Sequence, residues 1–264
     1  MPEGHTVHRL AREFAERFQA RVVSATSPQG RFAEGAALLD GRRLEGTEAY
    51  GKHLFLRFAG ERILHVHLGL YGKWAFGPTP APDPWGALRV RLVADGSYAD
   101  LRGATACEVW TPEDEQRLLH RLGPDPLRDD ADEQQAWQRI ARARTPIGVL
   151  LMDQSVLAGV GNVYRAEALF RARIDPHRPG RELDRQQWRA MWQDIVVLMR
   201  AGLRAGRIVT TRPADRSGTG RVRPEDAFYV YRRTGDPCRI CGTPIATEVI
   251  AGRNLFWCPT CQAG

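Results

Sequence analysis

Apolar positions recur at helical spacing at the start of the chain and at alternating spacing over the next hundred residues. The first segment, HTVHRLAREFAERF, places four apolar residues on one face of a helix: Val7, Leu10, Phe14 and Phe18. Four later segments are rich in β-forming residues or alternate apolar with polar ones: RVVSATS, KHLFLRF, RILHVHL and LRVRLVAD. Turns such as Ala59-Gly60 and Asp95-Gly96 separate them. The pattern predicts an N-terminal helix packed against an antiparallel β-sandwich.

A helix start, and then a stretch without apolar periodicity, follow the predicted strands. Thr111 is suited to be an N-cap, Pro112 takes the first helical position, and Asp114 lies three residues beyond the cap. The next segment, GPDPLRDDADEQQ, is rich in proline and aspartate and marks the best domain boundary. Four helices are predicted beyond it: WQRIARA, PIGVLLMDQSVL, NVYRAEALFRA and the long LDRQQWRAMWQDIVVLMRAGLRA. The chain is therefore predicted to be an α+β protein of two domains.

The charge balance adds a candidate partner to this picture. The 264 residues carry a formal net charge of +7, with arginines crowded between Arg200 and Arg239. A basic half is typical of a surface that binds a polyanion, although the arginine preference of a GC-rich genome is an alternative. No apolar run reaches the ~18–20 residues that a membrane helix requires. Charged residues also interrupt the N-terminal segment, so no signal peptide is predicted and we expect a cytoplasmic protein without a membrane partner.

Four of the five cysteines form two Cys-x-x-Cys pairs near the C-terminus: Cys238 with Cys241, and Cys258 with Cys261. In a chain without a secretory signal, this arrangement favours a metal over disulfides. Two such pairs supply four thiolates, which suit one tetrahedral Zn²⁺ ion with a structural role because no coordination position stays open. A redox dithiol and structural disulfides are the alternatives.

Two segments of the C-terminal half are suited to phosphate binding. The first, AGVGN, ends at Asn162 between two predicted helices, and its glycines allow a close approach of the backbone to a ligand. The helix that begins near Asn162 offers free N–H groups to a phosphate, whereas a plain structural corner is the alternative. The second, IATEVIAGRNLFWC, predicts a hairpin with Arg253 and Asn254 at or near its turn. An arginine there either binds phosphate or is an ordinary solvated charge.

The chain begins MPEG, which places a proline and a glutamate directly behind the start methionine. If the methionine is removed, Pro2 carries a secondary amine, and an α-amine with a pKa of ~7.7–8 is partly neutral near pH 7. Such an amine can attack a sugar C1′ and form an iminium, whose permanent charge acidifies the C2′ hydrogens and favours elimination of the 3′ phosphate. Glu3 is suited to act as general acid or base. Taken alone, however, Met-Pro-Glu is a permissive start.

Five segments, in this order, resemble the Fpg/Nei (formamidopyrimidine-DNA glycosylase and endonuclease VIII) family of DNA glycosylases: MPEG, YGKHLFLRF, HLGLYGKW, DQSVLAGVGNVYRAEALF and CRICGTPI…GRNLFWCPTCQ. The resemblance covers essentially the whole chain. It implies a catalytic β-sandwich domain at 2–123, a linker at 124–135, a helix-two-turn-helix DNA-binding domain at 136–234 and a zinc finger at 235–264. It also implies one structural zinc ion, double-stranded DNA with a damaged base or abasic site as partner, a monomer, and a place at the bacterial nucleoid.

The resemblance further implies roles for individual residues. Pro2 resembles the Schiff-base nucleophile of the family, and Glu3 resembles its acid/base partner. Lys52, in YGKHLF, resembles a β-strand lysine that contacts DNA phosphate and assists catalysis. Asn162 matches a turn asparagine that binds backbone phosphate, and Arg253 matches a zinc-finger arginine that does the same.

The resemblance also implies side chains that insert into the base stack as a wedge. Elsewhere the chain departs from the family pattern. Leu70 and Tyr71 match the position inserted after the damaged base flips out, with a buried strand residue as the alternative for Leu70. Fpg-type members read DPRRFG where this chain reads DLRGAT, so the aromatic residue of that motif, which we call the filler, is missing here. Arg102 is the candidate for the arginine that stands next to the filler in those members. The Leu-Tyr wedge and the missing filler favour a Nei-like protein, and the MPEGHT start resembles an actinobacterial Nei-like branch.

These observations predict a bifunctional DNA glycosylase/AP lyase of base excision repair that removes an oxidised base, with a pyrimidine favoured, and then cleaves the strand by β,δ-elimination. A non-catalytic DNA- or lesion-binding protein, a monofunctional glycosylase and an enzyme for bulky adducts are the alternatives. Thr6, preceded by His5, stands where a second glutamate is frequent in the family, so the choice of base stays open, as do opposite-base preference and single-strand activity. The loop from Thr210 to Ala227 matches the region that covers the flipped base in Fpg-type enzymes. Cys107 fits no motif and is most simply a buried small hydrophobe.

Overall fold

The computed structural model describes residues 2–218 and 220–263. The chain folds as two compact units, Met1–Arg121 and Leu122–Gly264. We call them the N-terminal unit and the C-terminal unit, and each has a hydrophobic core of its own. Among the described residues, no helix is both long and apolar enough to cross a membrane.

The N-terminal unit combines helices with a long antiparallel sheet. Its helices are α1 (Gly4–Phe18), α2 (Ala33–Leu39) and α3 (Pro112–Leu119). Its strands are β1 (Val22–Thr26), β2 (Arg42–Tyr50), β3 (His53–Phe58), β4 (Arg62–His67), β5 (Lys73–Pro78), β6 (Leu88–Ala94), β7 (Ser97–Arg102) and β8 (Ala106–Trp110).

The strands hydrogen-bond in the order β5-β7-β6-β1-β2-β3-β4-β8, and every neighbouring pair is antiparallel. Strand β1 joins three strands on one side, β5-β7-β6, to four on the other, β2-β3-β4-β8, because Val22 and Val23 pair with β2 whereas Ser24 to Thr26 pair with β6. A strand shared in this way connects the two layers of a sandwich. The predicted α+β fold with an N-terminal β-sandwich is confirmed.

Helix α1 buries the face that its apolar spacing predicts. Val7, Phe14 and Phe18 are at most 1% exposed, and Leu10 packs against the same core at half burial. The Phe14 ring meets Trp74 edge-on, with 4.8 Å between ring centroids. Each fully buried side chain of this size contributes about 1.5–3 kcal/mol to folding. The helix is therefore fixed by the sandwich core and holds the N-terminal residues of the chain in place.

Helix α3 ends the N-terminal unit with the predicted capping box. Thr111 Oγ1 accepts a hydrogen bond from the Asp114 backbone N–H at 3.4 Å. Asp114 Oδ2 in turn accepts from the Thr111 backbone N–H at 3.0 Å, and Pro112 takes the first helical position. The sequence pattern was sufficient to predict this capping box because all of its contacts lie within four residues of one another.

The C-terminal unit is helical and ends in a two-stranded hairpin. Its helices are α4 (Glu133–Ile140), α5 (Ile147–Leu150), α6 (Asn162–Ala172) and α7 (Arg185–Ala205), and its strands are β9 (Ala246–Ile250) and β10 (Arg253–Trp257). One core cluster lies among the helices, and another joins α6 to the hairpin and the cysteines. The helical domain and the C-terminal zinc-finger fold are as predicted.

The helix predicted over PIGVLLMDQSVL is wrong beyond its first turn, since α5 covers only Ile147–Leu150. The rest of the segment forms successive turns in which side chains bond to the backbone. Asp153 Oδ1 accepts from the Ser155 N–H at 2.8 Å, and Gln154 Nε2 donates to the Val160 carbonyl at 3.0 Å. Such bonds offer the backbone an alternative to the helical ladder. Apolar spacing alone did not reveal this competition.

Candidate active site and nucleic-acid contacts

Pro2 and Glu3 immediately precede helix α1 in the N-terminal unit. Glu3 is the N-cap residue, with an extended backbone, and its carbonyl oxygen accepts from the Thr6 N–H at 2.9 Å. The Glu3 side chain is fully buried, whereas Pro2 is half-buried. A carboxylate at a helix N-terminus is favoured by the helix dipole. The buried helix thus holds the proline and the carboxylate next to each other at one fixed place.

His5 and Thr6, in the first turn of α1, surround this point with neutral groups. Burial lowers the pKa of His5 to about 4, so its ring is uncharged near neutral pH. Its Nε2 lies 3.3 Å from Thr6 Oγ1. Thr6 also lines a groove of about 390 Å³ between α1 and β5, together with side chains that include Arg9 and Trp74. Neither residue supplies the negative charge that a glutamate would bring.

Lys52 lies in the turn between β2 and β3, one residue before the strand to which the resemblance assigned it. Tyr50 pairs with His53 across this turn, so Gly51 and Lys52 form a two-residue hairpin loop. Gly51 has φ +58°, which its missing Cβ permits at the first loop position. Lys52 is half-buried, and the tight turn fixes the backbone position from which its side chain extends.

Three histidines that the sequence analysis overlooked lie on β3 and β4 next to Lys52. His53 Nδ1 is 2.9 Å from His65 Nε2, and the rings of His53 and His67 are 5.0 Å apart. The His65 ring stacks on Trp110 at 3.7 Å. Burial lowers the pKa of His53 and of His65 to about 3 and also lowers that of His67, with a smaller contribution from Lys52 at His53 and His67. The cluster is therefore neutral near pH 7, and the ammonium of Lys52 is a positive group beside it.

A signal for this cluster is present in the sequence. His65 and His67 in HVH share a face by strand alternation, and the strand register places His53 opposite His67. Without that register, however, two histidines two residues apart look like any half-exposed strand.

Leu70 and Tyr71 lie in the turn between β4 and β5 and are 46% and 84% exposed. The alternative that Leu70 is a buried strand residue is therefore wrong. The flanking glycines shape the turn, since a Cβ on Gly69 would lie 1.9 Å from Thr105 Oγ1 and one on Gly72 would lie 2.3 Å from the Leu68 carbonyl oxygen. Two adjacent large apolar side chains held in water are typical of a contact surface.

Arg102 ends strand β7 and is bound within the N-terminal unit. Its Nη2 donates to Asp100 Oδ2 at 3.0 Å, and its Nε donates to the Trp85 carbonyl oxygen at 3.2 Å. The guanidinium lies 4.4 Å from the centroid of the Trp85 ring. With only 8% of the residue exposed, these contacts determine where Arg102 points.

Asn162 is the first residue of α6 and connects that helix to the hairpin. Its Nδ2 donates to the Asn254 carbonyl oxygen at 2.9 Å, and its Oδ1 accepts a hydrogen bond from Arg165. Arg165, which is 1% exposed, also donates to the Asn254 carbonyl oxygen at 2.8 Å and to the Gly148 carbonyl oxygen at 3.1 Å. The amide of Asn162 is thus held rigidly at the N-terminus of α6.

Arg253 begins β10, directly after the hairpin turn, as predicted. It pairs with Ile250, and the two turn residues Ala251 and Gly252 both have positive φ, +48° and +72°. Two positive φ values in a two-residue loop are the type I′ geometry that matches the strand twist. Arg253 is exposed at this tip, while Asn254, which follows it, is tied to α6.

The four cysteines of the predicted zinc site come together. All four Sγ atoms lie within 4.8 Å of one another. The distance is 3.9 Å between Cys238 and Cys261 and 3.4 Å between Cys241 and Cys258. Four sulfurs around zinc with bonds of about 2.3 Å are about 3.8 Å apart, so the set fits one tetrahedral ion. The four thiolates hold a structural zinc and fill all four of its coordination positions, so none is open to a substrate.

The loop from Thr210 to Ala227 is held at its two ends. The Thr210 N–H donates to the Ala227 carbonyl oxygen at 2.9 Å, and the Thr210 hydroxyl donates to Glu167 on α6. Glu167 also accepts from the backbone N–H groups of residues 229, 230 and 231, each at 2.8 Å. This fully buried carboxylate was overlooked because no local pattern marks it. Thr219, within the loop, lies outside the described residues.

Family models match three parts of the chain. The formamidopyrimidine-DNA glycosylase N-terminal domain matches residues 1–107, and the H2TH domain of the same glycosylase matches residues 122–213. A zinc finger found in FPG and IleRS matches residues 235–264.

Individual relatives match over nearly the whole length. Endonuclease 8 1 of Mycobacterium tuberculosis is 52% identical over 268 residues, which cover 99% of this chain and 100% of the relative. Formamidopyrimidine-DNA glycosylase of Thermus thermophilus is 32% identical over 272 residues, with 99% and 97% covered. The mycobacterial relative supports the predicted Nei-like character.

Solved structures share the fold. The crystal structure of MutM (Fpg) from Thermus thermophilus superposes with a TM-score of 0.80 at 29% identity, with 99% of this chain and 98% of that chain covered. Lactococcus lactis Fpg, in a complex with DNA that contains an abasic site, gives a TM-score of 0.83 at 22% identity, with 99% and 100% covered. The chain therefore belongs to the Fpg/Nei family, the formamidopyrimidine-DNA glycosylases and endonucleases VIII.

Proposed function

We propose that the protein is a bifunctional DNA glycosylase/AP lyase of base excision repair, which removes oxidised bases, pyrimidines above all, from double-stranded DNA. The observation that carries the proposal is the fixed position of Pro2 and Glu3 at the buried N-terminus of α1. A pure DNA-binding protein has no use for a proline amine beside a buried carboxyl. The 52% identity to Endonuclease 8 1 over 99% of the chain supports the same function.

The proposed reaction begins once the start methionine is removed. The neutral amine of Pro2 attacks C1′ of the flipped nucleotide, the glycosidic bond breaks, and the base leaves with the bonding electrons and takes up a proton. Glu3 is the group placed to donate or accept protons in these steps. The C1′–O4′ bond of the sugar then breaks, and O4′ takes up the proton that the Pro2 nitrogen releases. The resulting iminium at C1′ acidifies C2′, so that loss of a C2′ proton expels the 3′ phosphate. A second elimination expels the 5′ phosphate, and water then hydrolyses the iminium to free Pro2.

The remaining site residues are proposed to bind and open the DNA. Lys52, Asn162 and Arg253 contact backbone phosphates, which position the duplex without reading its sequence. Leu70 and Tyr71, both exposed, fill the space left in the stack by the flipped base. Arg102 stays a candidate for a neighbouring DNA contact. We further propose that the protein acts as a monomer at the nucleoid in the bacterial cytoplasm.

Borohydride trapping on duplex DNA with an abasic site tests the nucleophile. The wild type is expected to form a covalent adduct, and Pro2→Gly, which has a primary amine without the pyrrolidine ring, is expected to trap at least ~10-fold more slowly. The chain contains only two lysines, Lys52 and Lys73. A variant with both changed to arginine therefore leaves the N-terminal amine as the sole candidate and should still trap.

Three outcomes separate the alternatives. Loss of the adduct in the lysine-free variant with full trapping by Pro2→Gly would assign the nucleophile to a lysine. Tight binding of abasic DNA without any adduct from the wild type would favour a non-catalytic lesion-binding protein. A reduced salt slope of binding in Asn162→Ala and Arg253→Ala is expected if these residues contact phosphate, and an unchanged slope in both contradicts that role.

A further inference from the structure

Trp85 is a large aromatic side chain that the N-terminal unit leaves in water. It lies in the connection between β5 and β6, outside any strand, and 61% of it is exposed. An indole ring can bury roughly 150–250 Å² of mostly apolar surface, so leaving it exposed forgoes a large contribution to folding. Such an exposed indole is explained either by a binding partner or by contacts that hold the ring at the protein surface.

The ring is held from beneath by a chain of buried charges. The Arg102 guanidinium lies 4.4 Å from the ring centroid, and its Nε donates to the Trp85 carbonyl oxygen at 3.2 Å. Asp100, 2% exposed, accepts from Arg102 at 3.0 Å and from two nitrogens of Arg91 at 2.7 and 2.9 Å. Gln29 donates to the carbonyl oxygen of the next residue, Gly86. The indole is therefore a fixed platform rather than a freely moving side chain.

The platform belongs to the same end of the sandwich as the exposed pair Leu70 and Tyr71. Gly103, which follows Arg102, has φ +66°, and a Cβ built on it would lie 3.0 Å from the Tyr71 carbonyl oxygen. The turn with the exposed pair and the arginine beneath Trp85 are thus adjacent. Lys73, exposed and paired with Arg102 across β5 and β7, adds a positive charge to this surface.

We infer that Trp85 stacks on the base left unpaired opposite the flipped nucleotide, an inference that rests on the proposed function. A rigid aromatic face beside exposed apolar residues and cations has the chemistry that single unpaired bases bind, since every base offers a π-face and is attached to a phosphate. The segment DLRGAT lacks an aromatic residue, and Trp85 brings one to the same arginine from a different loop.

The test measures binding of the full-length protein to a duplex with a tetrahydrofuran abasic analogue and 2-aminopurine opposite to it. Trp85→Leu keeps an apolar side chain over Arg102 but removes the π-face, and Trp85→Phe keeps a smaller one. We expect Trp85→Leu to raise Kd by about ten-fold and to lose most of the 2-aminopurine quenching. Trp85→Phe should stay within about three-fold of the wild type, and the salt slope should not change because no phosphate contact is removed.

Val197→Ala serves as the control, because Val197 is also 61% exposed but lies on α7 of the C-terminal unit. It should bind and quench as the wild type does. Equal Kd and equal quenching for Trp85→Leu and the wild type would overturn the inference. A salt slope lowered in Trp85→Leu would also overturn it in favour of a phosphate contact through Arg102. Since the tetrahydrofuran analogue is not cleaved, this result is independent of borohydride trapping, which tests the proposed function.

Discussion

The two units of the molecule bury polar groups in different ways. In the N-terminal unit the buried polar residues near the candidate site are Glu3 and histidines such as His5 and His65, whose rings are neutral. In the C-terminal unit Glu167 and Arg165 are 0% and 1% exposed and bind backbone groups from distant parts of the chain. Leaving a buried neutral group without its hydrogen-bond partner costs about 1–3 kcal/mol, and leaving a buried charge without its partners costs about 3–5 kcal/mol.

The N-terminal unit has buried charges of its own in Arg91, Asp100 and Arg102, which pair with one another on the neighbouring strands β6 and β7. The buried charges of the C-terminal unit instead join distant parts of the chain, and that unit depends in addition on its metal.

Among the changes that test this comparison, loss of the zinc ion is expected to have the largest effect. Cys258→Ser should remove the ion and unfold the hairpin, because a structural zinc contributes about 10–16 kcal/mol of binding free energy that is coupled to folding. The N-terminal unit should keep its fold, so limited proteolysis should release a stable fragment from it. Cys107→Ala, a change at a cysteine buried in the N-terminal unit, is the control and should keep the zinc content at one ion per chain. Equal zinc content in the two variants would contradict the assignment.

A smaller loss is expected when the buried carboxylate is changed. Glu167→Gln replaces one accepting oxygen by an NH₂ group that faces backbone donors, and we expect a loss of about 3 kcal/mol in the free energy of unfolding. Thermal or urea unfolding measures it. Glu182→Gln, at an exposed position of the same unit, should change stability by less than about 0.5 kcal/mol. A comparable, small change in both variants would show that Glu167 is not a structural anchor.

The third effect concerns pH and has opposite signs in the two units. The folded-state pKa of His65 is lowered to about 3, so the unfolded chain binds more protons and stability falls as pH drops from about 6.5 towards 3. For this 4%-exposed ring the slope reaches at most about 1.4 kcal/mol per pH unit. The carboxylates of Glu248 and Asp175 outweigh burial and raise the pKa of His177 in the C-terminal unit. Its contribution is present below about pH 6.5 and is lost as pH rises through the raised value.

Urea unfolding between pH 4 and 8 checks both signs. His65→Phe, which retains an aromatic ring against Trp110, should flatten the acid side of the stability profile. His177→Gln should lower stability at pH 5 more than at pH 8, by only a few tenths of a kcal/mol because the ring is more than a third exposed. If His65→Phe left the acid slope unchanged, His65 would not be neutral in the folded protein.

Sequence reasoning succeeded where the cause of structure is local. The apolar stripe of α1, the capping box at Thr111 and the two cysteine pairs depend on residues a few positions apart, and the structure has all three. It failed where side chains compete for the backbone, as in the segment after Leu150, and it placed Lys52 in a strand instead of the preceding turn. The register of β2 with β3, a tertiary property, fixes that turn.

The opening MPEG and the ordered motifs determined, by themselves, the family, the zinc ligands and the candidate nucleophile, because these depend on residue identity and spacing. Only the tertiary structure decided the surroundings of those residues. Strand pairing brought His53 and His65 together beside Lys52, and a buried ion-pair chain placed Trp85 over Arg102. Folding brings such distant groups into direct contact, where burial and hydrogen bonding set charge and orientation, and no spacing along the chain encodes those distances.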